Sequence, residues 1–171
     1  MKRIILIGCP GSGKSTFSKA LHQLTGIPLF HLDILYWNAD KTTVTESVFR
    51  ERLSEVLCQS EWIIDGNYSS TMELRMQACD TVIFLDYPLS LCLEGINARK
   101  GQARSDLPWI ESTEDDEEFL AFIKSFNAQS RPQIMELLKH YSDKNIFILQ
   151  DRAQADQLLN RIRCACASEP T

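Results

Sequence analysis

The feature that most constrains the fold is a glycine-rich stretch near the start of the chain. The aliphatic residues 4–7 run directly into the sequence Gly8-Cys9-Pro10-Gly11-Ser12-Gly13-Lys14-Ser15-Thr16, and a helical pattern follows. A strand, a Gly-x-x-x-x-Gly-Lys-Ser loop and a helix in this order are the pattern of a phosphate-binding P-loop. Glycines let backbone N–H groups converge on phosphate oxygens, and the helix directs its positive end toward them. The stretch therefore predicts a phosphate site within an α/β fold.

The residue types of this loop have expected roles toward a nucleotide. Lys14 is expected to reach the β- and γ-phosphates, and the Ser15 hydroxyl is expected to coordinate Mg²⁺. We expect Thr16 to contact the α-phosphate. The expected backbone cradle comprises Gly8, Pro10, Gly11, Ser12 and Gly13. The implied cofactors are ATP and Mg²⁺.

Apolar runs alternate with amphipathic segments along the rest of the chain. Strands are predicted at 3–7, 28–32, 62–64, 81–86 and 146–149, and helices at 14–24, 46–58, 70–77, 88–100, 115–125, 128–141 and 153–165. Aliphatic strands separated by helices are typical of a parallel sheet covered on both faces. We therefore predict an α/β fold with a five-stranded parallel sheet, in one domain over residues 1–171.

The composition excludes several other classes of protein. The chain has 171 residues, 44% of them hydrophobic, and a net charge of −5. Direct nucleic-acid binding is not expected of an acidic chain, because phosphate neutralisation needs positive charge. The apolar runs are too short for a membrane span or an export signal, and the six cysteines include no Cys-x-x-Cys pair. These features predict a reduced, cytoplasmic protein, and they do not define an oligomeric state.

Two classes of P-loop protein lack their further signals in this sequence. A switch GTPase carries an Asn-Lys-x-Asp guanine-binding motif, which does not occur here. Motor-type ATPases have a longer chain and a strand that ends in paired acids, whereas Asp86 is followed by Tyr87 and Pro88. The pattern therefore favours a kinase that acts on a small substrate.

In parallel α/β sheets, ligands bind beyond the carboxyl ends of the strands. The residues after the predicted strands are therefore the expected site residues, namely residues 8–16, 31–33, 65–68 and 86–88. Asp33 follows the second strand and is expected opposite the P-loop. Its carboxylate either accepts a proton from an acceptor hydroxyl or forms a hydrogen bond with it, and the alternative is an exposed turn residue. His31 has two interpretations, as a site residue or as a packed histidine. Tyr36 and Trp37 either stack on the acceptor or close the core.

Two motifs carry a resemblance to a known family. Trp62-Ile63-Ile64-Asp65-Gly66-Asn67-Tyr68 resembles the Asp-Gly-Phe-Pro segment of adenylate kinases, from which residues 67 and 68 depart. A closer resemblance is to the adenylate-kinase-related DNA topology modulation proteins (FlaR-like) over roughly residues 1–150. It rests on that segment and on His31-x-Asp33-x-x-Tyr36-Trp37, Arg75 before Cys79-Asp80, Leu85-Asp86-Tyr87-Pro88, Arg104-x-Asp106 and Ser130-Arg131-Pro132.

The resemblance implies a P-loop NTPase of the nucleotide-kinase type with a small lid. Asp65 would then hold Mg²⁺ through water, although as a short acceptor it could instead cap the next helix. The lid would span about residues 100–131, and its phosphate-clamping arginines would be Arg99, Arg104 and Arg131. The acceptor side would span about residues 31–58. Arg75 is expected on a helix surface.

These observations predict an ATP-binding phosphotransferase that moves the γ-phosphoryl of Mg-ATP to a small acceptor. The acceptor expected is a nucleoside or nucleotide, for which Arg50 and Arg52 are available on the acceptor side. Three alternatives remain open: a non-catalytic nucleotide-binding regulator, a kinase of a small non-nucleotide hydroxyl compound, and a nucleic-acid-associated protein. The acidic run Glu114-Asp115-Asp116-Glu117-Glu118 slightly favours the regulator, because it weakens a basic lid.

Overall fold

The computed structural model describes residues 1–102, 106–107 and 116–167. The strands in these ranges are β1 (Arg3–Gly8), β2 (Leu29–His31), β3 (Trp62–Asp65), β4 (Thr81–Leu85) and β5 (Asn145–Leu149). The helices are α1 (Lys14–Thr25), α2 (Leu32–Tyr36), α3 (Glu46–Leu57), α4 (Ser69–Ala78), α5 (Leu89–Arg99), α6 (Glu117–His140) and α7 (Arg152–Ala167). Each predicted strand is present, so the prediction of a five-stranded sheet is confirmed.

The five strands form one parallel sheet in the order β2-β3-β1-β4-β5. The central strands β1, β3 and β4 consist of buried residues apart from Arg3 at the start of β1. A strand with apolar side chains on both faces is stable only where helices cover both faces, which is why the chain alternates between strands and helices. Because all strands run in the same direction, their carboxyl ends meet at one edge of the sheet.

Local signals fix several helix ends. Gly26 ends α1 in the left-handed conformation (φ 72°), and its N–H donates to the carbonyl of His22 at 2.8 Å. Thr45 caps α3 by accepting a hydrogen bond from the N–H of Val48, and Asp116 caps α6 by accepting one from Phe119. The acidic side chains that follow Asp116 lie in the first turn of α6, where the helix dipole favours them.

One expectation about the helices is wrong, and one short helix was not expected. The segments 115–125 and 128–141 form one continuous helix, α6, instead of two. Its buried side chains Ile123, Phe126, Ile134 and Leu138 share one face, so the apolar stripe continues through the expected break. Pro132 lacks the N–H for one helical hydrogen bond but lies on the exposed side of α6, where its ring is tolerated. The five-residue helix α2 was not expected.

No helix within the described ranges is both long enough and apolar enough to cross a membrane. The expected irregular segment 101–114 lies mostly outside the described residues, as does Arg104. Residues 117–131 of the expected lid form the N-terminal part of α6.

Candidate active site

A cleft of about 1530 Å³ lies at the carboxyl edge of the sheet. Residues 10–16 of the P-loop line it, together with side chains that follow the neighbouring strands, such as Asp33, Asp65 and Tyr68. His31 and Asp65 are partners in the register of β2 and β3 and end side by side. The sheet order therefore brings together the residues that the sequence predicted at the ends of β1, β2 and β3.

The P-loop lies tightly against α5. Gly11 has a φ of 82°, and a Cβ at this position would lie 2.0 Å from the carbonyl oxygen of Cys92. Gly95 approaches the loop equally closely from α5, because its Cβ would lie 2.0 Å from the Gly11 oxygen. Gly13 also has a positive φ (88°), but a Cβ there would meet nothing within 4 Å among the described residues. The loop is thus fixed by packing on one side and open at Gly13.

The start of α1 fits a phosphate ligand. Gly13 is its N-cap and has no side chain, so the cap residue itself forms no hydrogen bond with the first N–H groups of the helix. Ser15 and Thr16 line the cleft in this first turn. Hydroxyl and carboxylate oxygens are the ligands that Mg²⁺ prefers, and Ser15 and Asp65 supply one of each. The residues present therefore fit a phosphate chain with its magnesium ion.

Lys14 is held against the loop that precedes it. Its ammonium donates to the carbonyl of Gly8 at 2.9 Å and to that of Cys9 at 3.0 Å. Burial lowers the pKa of Lys14, while the negative charges of Asp65 and Asp33 act in the opposite direction. The ammonium of Lys14 therefore lies in a cleft with acidic side chains and bonds to two uncharged carbonyl oxygens. Phosphate oxygens can replace these carbonyls as its acceptors.

Asn67 ties the segment after β3 to the start of the P-loop. Its Oδ1 accepts from the N–H of Gly8 at 3.0 Å, and its Nδ2 donates to the carbonyl of Gly8 at 2.7 Å. The Gly8 carbonyl is therefore shared by Asn67 and Lys14. Because the Gly8 N–H already donates to Asn67, and Gly8 is not among the residues that line the cleft, the expected contact of this N–H with phosphate is not formed by Gly8 in this arrangement.

We expect Asn67→Ala to weaken binding of a non-hydrolysable ATP analogue by about tenfold, since two hydrogen bonds that orient the Gly8 peptide are lost. Titration calorimetry measures this directly. Asn38→Ala is the control, because Asn38 bonds to Thr42 on an exposed turn. Equal affinities for the wild type and the Asn67 variant would contradict the role given to Asn67.

Arg75 is the internal anchor of this segment. It is fully buried on α4, against the expectation of a surface position. Its guanidinium donates to the carbonyls of Gly66 at 2.8 Å, Tyr68 at 3.0 Å and Thr71 at 3.3 Å, and to that of Asn67. Burial lowers the pKa of Arg75 to about 9, so the group still carries its charge at neutral pH. The planar fork of an arginine suits this set of convergent carbonyls.

Replacing Arg75 with methionine is expected to lower the free energy of unfolding by about 3 kcal/mol, because several buried carbonyls lose their donor. Urea denaturation followed by circular dichroism measures the change. The control is Arg163→Met on α7, where the guanidinium bonds to exposed Asn160. A loss below about 1 kcal/mol for the Arg75 variant would show that the anchor is not needed.

Asp33 and Tyr68 form a close pair on the acceptor side. The hydroxyl of Tyr68 donates to Oδ1 of Asp33 at 2.6 Å. Burial raises the pKa of Asp33, the Tyr68 hydrogen bond opposes this shift, and the negative charge of Asp65 adds to it. Tyr68 itself has a positive φ of 36° and lies directly before α4. With this left-handed backbone conformation, the phenol of Tyr68 reaches the carboxylate of Asp33.

Asp65 lies in the cleft at the end of β3, and its side chain is 5% exposed. Oδ2 of Asp65 lies 3.0 Å from Nδ1 of His31 and 3.5 Å from Oγ of Ser18. The alternative that Asp65 caps the next helix is wrong, because Tyr68 is the N-cap of α4. His31 thus lines the cleft and contacts Asp65.

The three expected lid arginines have different outcomes. Arg99 lines the cleft, and its charge contributes to lowering the pKa of Lys14. Arg131 does not line the cleft, because it forms a two-point ion pair with Asp86, from Nε to Oδ1 at 2.7 Å and from Nη2 to Oδ2 at 2.8 Å. This bond raises the pKa of Arg131. Arg104 lies outside the described residues.

On the acceptor side, the aromatic residues Tyr36 and Trp37 lie in different environments. Tyr36 packs in the core, with its ring centroid 5.2 Å from Phe49 and 4.9 Å from Tyr68. Trp37 and Lys41 line the cleft. Tyr36 therefore closes the core, whereas Trp37 lines the cleft, and its stacking on an acceptor stays a prediction.

The two arginines considered for a nucleotide acceptor bond to the protein. Arg50 donates to the carbonyl of Ser70 at 2.7 Å and pairs with Glu46 at 3.0 Å. Arg52 donates to the carbonyl of Leu35 at 2.9 Å. Neither of these arginines lines the cleft.

The sheet order and the loop after β1 define a P-loop kinase fold. A crystal structure of shikimate kinase from Bacteroides thetaiotaomicron is similar to this chain over 97% of this chain and 98% of that one, with a TM-score of 0.56 and 22% sequence identity. No family model matches the chain, and the comparison with curated proteins found no match. The fold class is therefore confirmed, and the resemblance to DNA topology modulation proteins stays a prediction.

Proposed function

We propose that the protein is a phosphotransferase that moves the γ-phosphoryl group of Mg-ATP to a hydroxyl of a small acceptor. The observation that carries this proposal is that Lys14 and Asp33 line one cleft and that the charge of each acts on the pKa of the other. A phosphate-binding lysine and a partly buried carboxylate are two groups that assist transfer to a hydroxyl. ATP and Mg²⁺ are the proposed cofactors.

On the donor side, the cradle of residues 10–13 and the first turn of α1 would hold the phosphates. Lys14 would leave the carbonyls of Gly8 and Cys9 and bind the β- and γ-phosphates, where it offsets the negative charge that develops during transfer. Ser15 and Asp65 would hold the magnesium ion, which supplies further charge neutralisation when bound. Thr16 would contact the α-phosphate.

On the acceptor side, Asp33 would take the proton of the acceptor hydroxyl. As that oxygen forms its bond to the γ-phosphorus, the bond from this phosphorus to the bridging oxygen of ATP breaks and ADP leaves. Tyr68 binds Oδ1 of Asp33 and so orients Oδ2 for the acceptor. Arg99, and Arg104 from the segment outside the described residues, would stabilise the transferring group. Arg131 would act less directly, by fixing Asp86 at the end of β4.

The pH dependence of the reaction follows from Asp33. A general base must be ionised, and the pKa of Asp33 is raised, so kcat/KM is expected to fall with decreasing pH through a value above that of an ordinary aspartate. The Tyr68 hydrogen bond lowers this pKa, so Tyr68→Phe should move the acidic limb to higher pH. A pH–rate profile measures both effects. Tyr141→Phe is the control, and an unmoved limb in Tyr68→Phe would exclude Asp33 as the base.

Two classes of acceptor are compatible with the cleft. A nucleoside or nucleotide follows from the resemblance to adenylate kinases. A small non-nucleotide hydroxyl compound is the second candidate, and it is favoured because Arg50 and Arg52 bond to backbone carbonyls instead of facing the cleft. A coupled ADP-release assay with nucleosides, nucleoside monophosphates and hydroxy acids tests the proposal. Acceptor-dependent ADP release supports it, and ATP binding with no release for any acceptor favours a regulator.

A further inference from the structure

Three potential metal ligands meet beside the P-loop. One ligand atom each from His31, Asp65 and Asp106 lies within 4.8 Å of the others. Asp65 and Asp106 are 5% and 2% exposed, so both carboxylates are buried. We infer that these three side chains form a divalent-cation site with a nitrogen ligand, which binds a transition-metal ion such as Mn²⁺ in the absence of nucleotide.

The spacing suits a single ion. Ligand atoms about 2.1 Å from one ion lie about 3.0 Å apart when they occupy neighbouring octahedral positions and about 4.2 Å apart when they are opposite. Nδ1 of His31 lies 3.0 Å from Oδ2 of Asp65, and the three ligand atoms remain within 4.8 Å. Small side-chain adjustments are therefore enough to bring all three onto one ion.

The electrostatics of the cluster also favour a dication. Two buried carboxylates close together repel each other, and burying charge without a counter-charge is costly. Asp33 adds a third carboxylate, since Asp65 and Asp106 both contribute to raising its pKa. Within the described ranges, two ammonium groups face the cluster: Lys19, which lies 3.8 Å from Asp106 and is 39% exposed, and Lys14, which bonds to Gly8 and Cys9. Lys19 can move into solvent when an ion binds.

The nitrogen ligand determines which ion the site prefers. Mg²⁺ favours oxygen ligands and retains its waters, whereas imidazole suits first-row transition ions such as Zn²⁺, Ni²⁺ and Fe²⁺, and Mn²⁺ is the weakest-binding member of that series. Ser18 lies 3.5 Å from Oδ2 of Asp65 and is placed to orient that carboxylate. We therefore expect tighter binding of Mn²⁺ than of Mg²⁺ to the nucleotide-free protein.

This inference adds to the proposed function and shares Asp65 with it. The magnesium ion of the proposed reaction arrives with ATP and is held at Ser15 and Asp65. The ion inferred here binds the protein directly, through His31 and Asp106. Its binding therefore needs neither ATP nor turnover, so the two claims can fail separately.

Electron paramagnetic resonance of the nucleotide-free, chelator-treated full chain tests the site with MnCl₂ as the probe. We expect saturable Mn²⁺ binding and, in pulsed spectra, a coupling to an imidazole nitrogen. His31→Gln should abolish this coupling, and His31→Gln and Asp106→Asn should each weaken Mn²⁺ binding by about tenfold or more. His22→Gln is the matched control. His22 lies in the last turn of α1, at the end away from the P-loop, and its Nδ1 contacts the carbonyl of Ile27.

The wild-type spectrum alone can overturn the inference, whether or not the variants fold. Absence of specific Mn²⁺ binding without nucleotide would do so, as would a spectrum with no nitrogen coupling. Coupling that persists in folded His31→Gln, or that is lost in His22→Gln, would assign the ion to other residues. Phosphoryl transfer with Mg-ATP that continues despite such a result would leave the proposed function intact. Mn²⁺ binding without any transfer would support the site and contradict the proposed function.

Discussion

Replacing Lys14 with alanine is expected to lower the rate of phosphoryl transfer by about three orders of magnitude. The ammonium is the P-loop group that can leave two backbone carbonyls and bind the transferring phosphate. Its loss removes a positive charge from a cleft that already contains the carboxylates Asp33 and Asp65. Single-turnover transfer from radiolabelled ATP measures the effect.

The control is Lys2→Ala, because Lys2 pairs with Glu61 on an exposed surface and its ammonium is remote from the P-loop. The wild-type rate is expected to persist in this variant. Circular dichroism spectra of both variants separate loss of chemistry from loss of folding. Transfer by a folded Lys14→Ala protein within about tenfold of the wild type would remove the P-loop from the mechanism.

Replacing Asp33 with asparagine is expected to lower kcat by about 100-fold or more, with little change in affinity for ATP. Asparagine keeps the shape and can still accept the Tyr68 hydrogen bond, but it cannot take a proton from the acceptor. The donor half of the cleft is unchanged in this variant. Steady-state kinetics together with calorimetry of ATP binding measure the two quantities.

Asp40→Asn is the matched control, since Asp40 is an exposed acceptor-side carboxylate that bonds to Thr42. Its kcat should equal that of the wild type. A normal kcat in Asp33→Asn would assign proton removal to another group. A large loss of ATP affinity instead of kcat would place Asp33 on the donor side.

The sheet and the P-loop were predictable because their signals are local. The order of strand, glycine loop, lysine and helix lies within one short stretch, and the aliphatic strands mark a parallel sheet wherever they occur. The joining of 115–125 and 128–141 into α6 was not predictable from local breakers, because the buried face formed by Phe126 and its neighbours outweighs the proline at 132.

The contacts of the segment Asp65–Tyr68 were not predictable, because they connect residues that are distant in sequence. Asn67 meets Gly8 across 59 positions, and Tyr68 meets Asp33 across 35. The burial of Arg75 was not predictable either, because it depends on the carbonyls of several residues that the fold brings around the guanidinium. The one sequence signal that pointed to Arg75 was its place in the pattern that resembles the known family. Asp106 also belongs to that pattern, through Arg104-x-Asp106. Its proximity to His31 and Asp65 depends on the fold and was not predictable from the sequence.

The central claim is tested most directly by phosphorus NMR of the protein with Mg-ATP and a pool of small-molecule metabolites. The account predicts that ADP and a new phosphomonoester resonance appear together with the wild type, and that neither appears with Lys14→Ala. Loss of ATP to inorganic phosphate alone, or intact ATP despite measured nucleotide binding, would contradict it.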